Sequence, residues 1–124
     1  MKKFYSKEHQ WIEVDENGEA KVGITRYAAQ ELGEITFIEL PEMGASLNAG
    51  DRLCTVESVK ACSDVFAPAG GTVKTVNSAL ETDPAALNDD AENSDNSWIC
   101  VFNGVNVADL DALMDEAQYA EFCK

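Results

Sequence analysis

The sequence predicts a small, mainly β protein, a barrel or sandwich with short peripheral helices. Short alternating apolar segments are punctuated by Gly, Pro, Asn and Asp at intervals of about ten residues, the rhythm of compact antiparallel sheets. Helical periodicity is brief between those segments and extends further only after Val107. The chain has 124 residues, 45% of them hydrophobic. That fills one interior and leaves little for a second, so residues 1–124 read as a single domain.

Two alternating segments, WIEV and KVGI, flank Asp15-Glu16-Asn17-Gly18. They predict a hairpin, because Asn-Gly supplies the positive φ that tight reversals need. Thr25 stands where a side-chain oxygen would cap a helix over RYAAQEL, and Gly33 where that helix would stop. In EITFIEL, Ile35, Phe37 and Glu39 alternate with Thr36, Ile38 and Leu40. Both faces are partly apolar, which predicts a sandwiched strand ended by Pro41. Turns at residues 48–51 and 68–71 bracket two further β segments, with Val59 and Lys60 at the reversal between them. A β-branched residue rejects positive φ, so a type I bend is expected there, with Lys60 at its exposed tip.

Asp83-Pro84 predicts a helix start, with Asp capping and Pro in the first turn. NDDAENSDNS predicts an exposed loop before a strand at WICVF. From Val107 onward, Leu110, Leu113, Met114, Ala117 and Phe122 recur at helical spacing. They predict an amphipathic C-terminal helix or helix pair, with Asp115 and Gln118 as a capping box that restarts the second.

Charge narrows the function. Nine Lys and Arg oppose 23 Asp and Glu, for a net charge of −14, and no cation lies between Lys74 and Lys124. Such a field repels phosphate backbones and anionic lipid, so neither nucleic acid nor membrane is an expected partner. No apolar run approaches a bilayer span, and MKKF leads into KEHQW without a signal-peptide core. A soluble, cytoplasmic monomer is expected. Cys54, Cys62, Cys100 and Cys123 lack CxxC spacing and have a single histidine, His9, to join them. Free thiols and no metal site follow. No GxSxG elbow, phosphate loop or HExxH is present. His9 is expected to be an ordinary hydrogen-bonded residue near Trp11, and the whole argues against an autonomous enzyme.

Packing does not explain Glu57-Ser58-Val59-Lys60-Ala61. With YSKEHQW, VGIT, LGEITFIELPEMG and NAGD before it and CSDVFAPAGGTV after it, the motif resembles the glycine cleavage system H protein family over almost the whole chain. The resemblance implies a lipoyl/biotinyl-carrier-like barrel-sandwich hybrid with short peripheral helices and a C-terminal helical segment. It implies that Lys60 is joined through an amide to lipoic acid, which removes a charge and adds a long arm ending in a redox-active disulfide. Lipoate-attaching enzymes are implied to read Glu57, three residues before the lysine, and Gly71, eleven after it. Both also have plain structural readings, as a solvated strand end and a turn glycine.

The implied role is a non-catalytic shuttle. A pyridoxal-phosphate decarboxylase (P protein) would load an aminomethyl group from glycine onto the arm. An aminomethyltransferase (T protein) would pass the one-carbon unit to tetrahydrofolate. A dihydrolipoyl dehydrogenase (L protein) would reoxidise the dithiol with NAD.

The chain also departs from the family. The loaded amine is implied to rest in a cleft holding an N-terminal Glu and an Asp four residues after the lysine. Asp64 matches, but Gln10 replaces the Glu and lacks its charge. Arg26 stands where Asp is common, Cys54 where Gly is usual, and ENSDNSW lacks the family's Gly and Tyr pattern. Two further readings therefore stay open. One is an H-like lipoate carrier of another pathway, such as sulfur oxidation or lipoate relay; the other is an unmodified structural module.

Overall fold

Alternating apolar residues put the strands of this chain on two antiparallel sheets that enclose one main core. The computed structural model describes residues 2–92 and 96–123, the side chains of residues 89 and 107 excepted. The larger sheet begins with β1 (Lys2–Tyr5), β2 (Gln10–Val14) and β3 (Ala20–Ile24). It continues through β9 (Cys100–Asn103) and β8 (Gly71–Val76) to the short β5 (Ser46–Leu47). The smaller sheet runs β4 (Ile35–Glu39), β6 (Arg52–Ser58), β7 (Cys62–Phe66). Ile12, Val22 and Phe102 from the first sheet and Ile38, Val56 and Val65 from the second belong to one buried cluster. Removing that apolar surface from water is the main force holding the sheets face to face.

The predicted hairpin joins β2 to β3. Asp15 accepts the backbone N–H groups of Asn17 and Glu19 through its carboxylate, and Gly18 takes φ 81°. Thr25 caps α1 (Arg26–Leu32) by accepting from the Ala28 N–H, and Gly33 ends it at φ 78°. Beyond α1 the strand β4 departs from expectation. Its register with β6 shifts between Ile35 and Phe37, so Ile35 and Ile38 are both buried while Phe37 is 46% exposed. The bulge inserts one residue and puts two side chains of odd spacing on the same face. The strand has one buried face and one open face rather than being sandwiched.

Two helical expectations also change. Asp83 does not start a helix: it closes α2 (Ala79–Thr82), and α3 (Ala86–Asp90) begins after Ala85 without a side-chain cap. Leu80 is driven into the core by α2, and Leu87 by α3. The segment expected as an exposed loop is therefore partly helical, with Ala91 and Ser97 buried; its residues 93–95 lie outside the described residues. At the C-terminal end, α4 (Val107–Leu110) and α5 (Glu116–Phe122) form a pair, and Asp115 with Gln118 makes the expected capping box. The buried face of α5 centres on Tyr119, whereas Ala117 is exposed and Phe122 is 46% exposed. The new cap resets the helical phase, so the stripe counted from Val107 does not carry through.

Tyr119 belongs to a second small cluster with Tyr5 and Trp11, on the face of the large sheet opposite Ile12. Trp11 pairs across the sheet with Gly23. A Cβ on Gly23 would sit 2.6 Å from the indole, so the missing side chain is what admits the ring. Gly23→Ala is expected to destabilise the fold by at least about 3 kcal/mol, because a rigid buried ring cannot yield. Gly18→Asn, where nothing lies within 4 Å, is expected to cost under about 1 kcal/mol. Urea unfolding midpoints check both values. Equal costs at the two sites would contradict this packing.

Candidate functional site

The bend between β6 and β7 is held from two sides. Within it, the Ser58 N–H donates to the Ala61 carbonyl at 2.8 Å, and the Ala61 N–H donates to Ser58 Oγ at 3.1 Å. The hydroxyl thus replaces one of the two backbone bonds that would close a tight hairpin. From outside, the Val59 N–H donates to the Glu34 carbonyl at 3.0 Å, tying the tip to the chain that leaves α1. Neither Val59 nor Lys60 has positive φ, as a type I bend requires.

Lys60 is exposed at this tip. The stem of its side chain lies along Gly33, whose ideal Cβ would be 3.4 Å from Lys60 Cε. Among the described residues the ammonium group makes no ion pair and no hydrogen bond. The site is a fixed backbone carrying a free primary amine, accessible to acylation.

Glu57 is exposed on β6, paired with Phe37 on one side and Cys62 on the other. Gly71 lies apart, at the start of β8 in the other sheet, opposite Leu47. Its ideal Cβ would stand 3.1 Å from Phe102, a fully buried ring. The structure thus puts Glu57 beside the Lys60 bend and gives Gly71 a packing duty in the core wall.

Gln10 and Asp64 do meet. Both line a cleft of about 190 Å³ between α1, the β1–β2 turn and β7. Gln10 is 3% exposed, and its amide is engaged at both ends. Oε1 accepts from Ser6 Oγ at 2.6 Å and Nε2 donates to the Glu8 carbonyl at 2.8 Å. Asp64 accepts from Thr55 Oγ1 at 3.2 Å and lies 3.7 Å from the Arg52 guanidinium. The same cleft is lined by Glu8, His9, Tyr27 and Glu31, which sequence reasoning did not assign to it. Tyr27 and Glu31 stand four residues apart on α1, a spacing that puts both on one helix face, so that part was legible. The charge of Glu31 and its hydrogen bond hold the Tyr27 phenol above its usual range.

His9 is hydrogen-bonded, as expected. Its Nδ1 lies 2.6 Å from the Tyr119 hydroxyl, which shares a 2.7 Å hydrogen bond with Thr25 Oγ1. The ring stacks on Tyr27 with centroids 4.3 Å apart. His9 takes φ 67°, and this left-handed backbone is strained for a residue with a side chain. Burial lowers its pKa below 6.5, against the opposing pull of Glu31 and Glu8.

The other departures fall outside the cleft. Arg26 joins α1 to α3, with Nε 2.9 Å from Asp90 Oδ1, and its hydrogen bond holds the Asp90 carboxyl below the usual range. Cys54 is buried in the core, where desolvation pushes its thiol up to about 12. All four cysteines are free. Of ENSDNSW, residues 93–95 lie outside the described residues. No helix among the described residues is long and apolar enough to cross a membrane.

The sequence profile of the family "Glycine cleavage H-protein" matches residues 3–124. A protein of Pyrococcus abyssi named "Probable glycine cleavage system H protein" is 46% identical over 122 residues, covering 98% of this chain and 89% of its own length. The "Glycine cleavage system H protein" of Opitutus terrae is 44% identical over 117 residues, covering 94% and 91%. The crystal structure of a glycine cleavage system H protein from Mycobacterium marinum superposes with a TM-score of 0.85 at 32% identity, covering 97% of this chain and 94% of that one.

One titration tests the cleft wall. His9 is the sole histidine, so its imidazole resonances are unambiguous. Their midpoint is expected below 6.5 in the folded chain. Because the unfolded state then takes up the proton first, His9 costs no stability above pH 6.5. It lowers stability as pH falls from there through the folded value. A midpoint at or above 6.5 would contradict the burial described here.

Proposed function

The chain belongs to the glycine cleavage H-protein family, and from that premise we propose that it is the lipoyl carrier of the glycine cleavage system, with lipoic acid amide-linked to Lys60. The observation that carries the reading is the condition of that amine, exposed and without a partner among the described residues, on a bend held from two sides. The residues fit the group. Turning the ammonium into an amide breaks no ion pair among the described residues and leaves no buried donor unsatisfied. When bound, the lipoyl group supplies a disulfide that is reduced as it accepts cargo and must be reoxidised.

The chain's own residues do the rest. The Ser58–Ala61 bonds and the Glu34 anchor fix where the tether starts. The lysine stem lies in van der Waals range of Gly33 at the end of α1. Asp64, Glu8 and Glu31 give the cleft a negative wall suited to an ammonium cargo. The strained His9 backbone presents a neutral imidazole beside it. Catalysis belongs to partner enzymes. The P protein decarboxylates glycine, the T protein moves the one-carbon unit to tetrahydrofolate, and the L protein restores the disulfide with NAD. The net charge of −14 speeds docking onto basic partner surfaces. In this reading the carrier is one domain, a monomer in the reducing cytoplasm, where its thiols stay free.

The internal bonding of Gln10 supports a second reading. With its amide spent on Ser6 and Glu8, the cleft lacks the family's buried carboxylate. A carrier serving another lipoate pathway would not need one.

Reconstitution with P, T and L proteins separates the readings. The wild-type chain is expected to support glycine-dependent NAD reduction, and Lys60→Arg to abolish it without changing the far-UV circular dichroism. A lipoylated chain that P protein cannot load would favour the second reading. Gln10→Glu removes the N–H that donates to the Glu8 carbonyl, so the new carboxylate turns from that carbonyl toward the cleft. The substitution is expected to slow ammonia loss from the loaded carrier several-fold, because a charged acceptor holds an ammonium more tightly. Identical release rates would contradict this account of the cleft.

A further inference from the structure

The open face of the small sheet carries two exposed apolar side chains. Phe37 is 46% exposed and Val59 is 66% exposed. Strand register puts Phe37, Glu57 and Cys62 side by side across β4, β6 and β7, so their side chains stand in one row on the same face. Val59 follows two residues after Glu57, with its backbone bonded to Glu34 and Lys60 next to it. Val59 thus adjoins the tether, and Phe37 stands opposite Glu57, three residues before it. Glu34 and Glu57 are exposed around them and make no ion pair among the described residues. One row further from the tip, Glu39 and Asp64 each lie 3.7 Å from the Arg52 guanidinium, which offsets part of their charge. The patch is apolar at its centre and negative at its rim, and its free charge is concentrated at the Lys60 end.

We propose that Phe37 and Val59 are the docking patch for the enzyme that acylates Lys60, and that this enzyme meets them with an apolar depression rimmed by basic side chains. The proposal rests on the reading of Lys60 as the lipoyl site. Reach selects this partner over the others. A bare lysine amine extends only a short way from its backbone, so an active site that closes on it must cover the neighbouring side chains. Enzymes that act after attachment take the far end of a long arm, so their active sites can close on the group without covering the side chains beside Lys60. The reaction is an acyl transfer. The ammonium of Lys60 first gives up a proton to become a nucleophile. The amide bond then forms between Nζ and the lipoyl acyl carbon, and the bond from that carbon to its activating group breaks. The group leaves with the bonding pair, and Nζ loses a second proton to solvent. No electrons are exchanged. Complementary charge on the partner speeds encounter, and burial of the two apolar groups slows dissociation.

The test uses the full chain as wild type and as the Phe37→Ser, Val59→Ser and double variants. Each is acylated by a purified lipoate-attaching enzyme supplied with preactivated lipoate. In parallel, each is acetylated by a small amine-reactive ester, and peptide mass spectrometry reads modification of Lys60 in both reactions. The double variant is expected to lose about tenfold or more in enzymatic kcat/KM, mainly through KM, with the ester rate at Lys60 unchanged. For the wild type, KM is expected to rise with ionic strength. Enzymatic acylation of the double variant at the wild-type rate would overturn the proposal. So would a parallel fall in enzyme and ester rates, which would assign both residues to holding the bend. Wild-type Lys60 that reacts with the ester but never with the enzyme would instead overturn the carrier reading itself.

Discussion

A single backbone hydrogen bond from outside the hairpin decides whether the Lys60 bend is a platform or a floppy loop. Hairpin tips normally move, because nothing beyond their own closing bonds restrains them. Here the Val59 N–H reaches the Glu34 carbonyl, so the tip is tied to the segment that follows α1. That segment turns off the helix at Gly33, whose φ of 78° few side-chain-bearing residues adopt. The Ser58 hydroxyl closes the other side of the bend. The outcome is an amine on a fixed base, with mobility confined to the side chain and whatever it carries. A carrier that must present one group to several active sites needs this separation of rigid base from moving arm.

The cleft that holds Gln10 and Asp64 is built from the opposite end of the chain and depends on a different constraint. Gln10, His9 and Glu8 reach it through the β1–β2 turn, α1 contributes Tyr27 and Glu31, and β7 contributes Asp64. The His9 backbone is held by Ser6 and Thr25, and its ring by Tyr119, more than a hundred residues away in sequence on α5. The C-terminal helix is therefore part of the cleft's support. Tyr119 stacks on Tyr5 with centroids 4.8 Å apart, in the same aromatic cluster as Trp11. The Gly23 gap that admits Trp11 thus contributes to the place where His9 ends up.

Much of the Lys60 bend and of the turns and caps around it was legible in the sequence because their determinants are local. The Asn17-Gly18 turn, the Thr25 cap, the Asp115–Gln118 box and the Val59–Lys60 reversal each depend on neighbours within a few residues. The features missed are those that local pattern does not encode. A bulge changes which face Phe37 takes, and period-two alternation is blind to an inserted residue. Asp83-Pro84 has good capping chemistry, yet burial of Leu80 and Leu87 sets where the helices lie. Gln10 and Asp64 meet in the cleft, but their engagement with Ser6, Glu8 and Arg52 comes from tertiary geometry. Gly71 shows how one residue can fit a recognition motif while its immediate surroundings describe a packing role.

The central claim is chemical selectivity for one amine among seven lysines. Peptide mass spectrometry of the chain produced in lipoate-competent cells tests it directly. The account predicts a lipoyl amide on Lys60 and unmodified Lys2, Lys3, Lys7, Lys21, Lys74 and Lys124. An adduct on any of those six in place of Lys60, or no adduct at all, would contradict it.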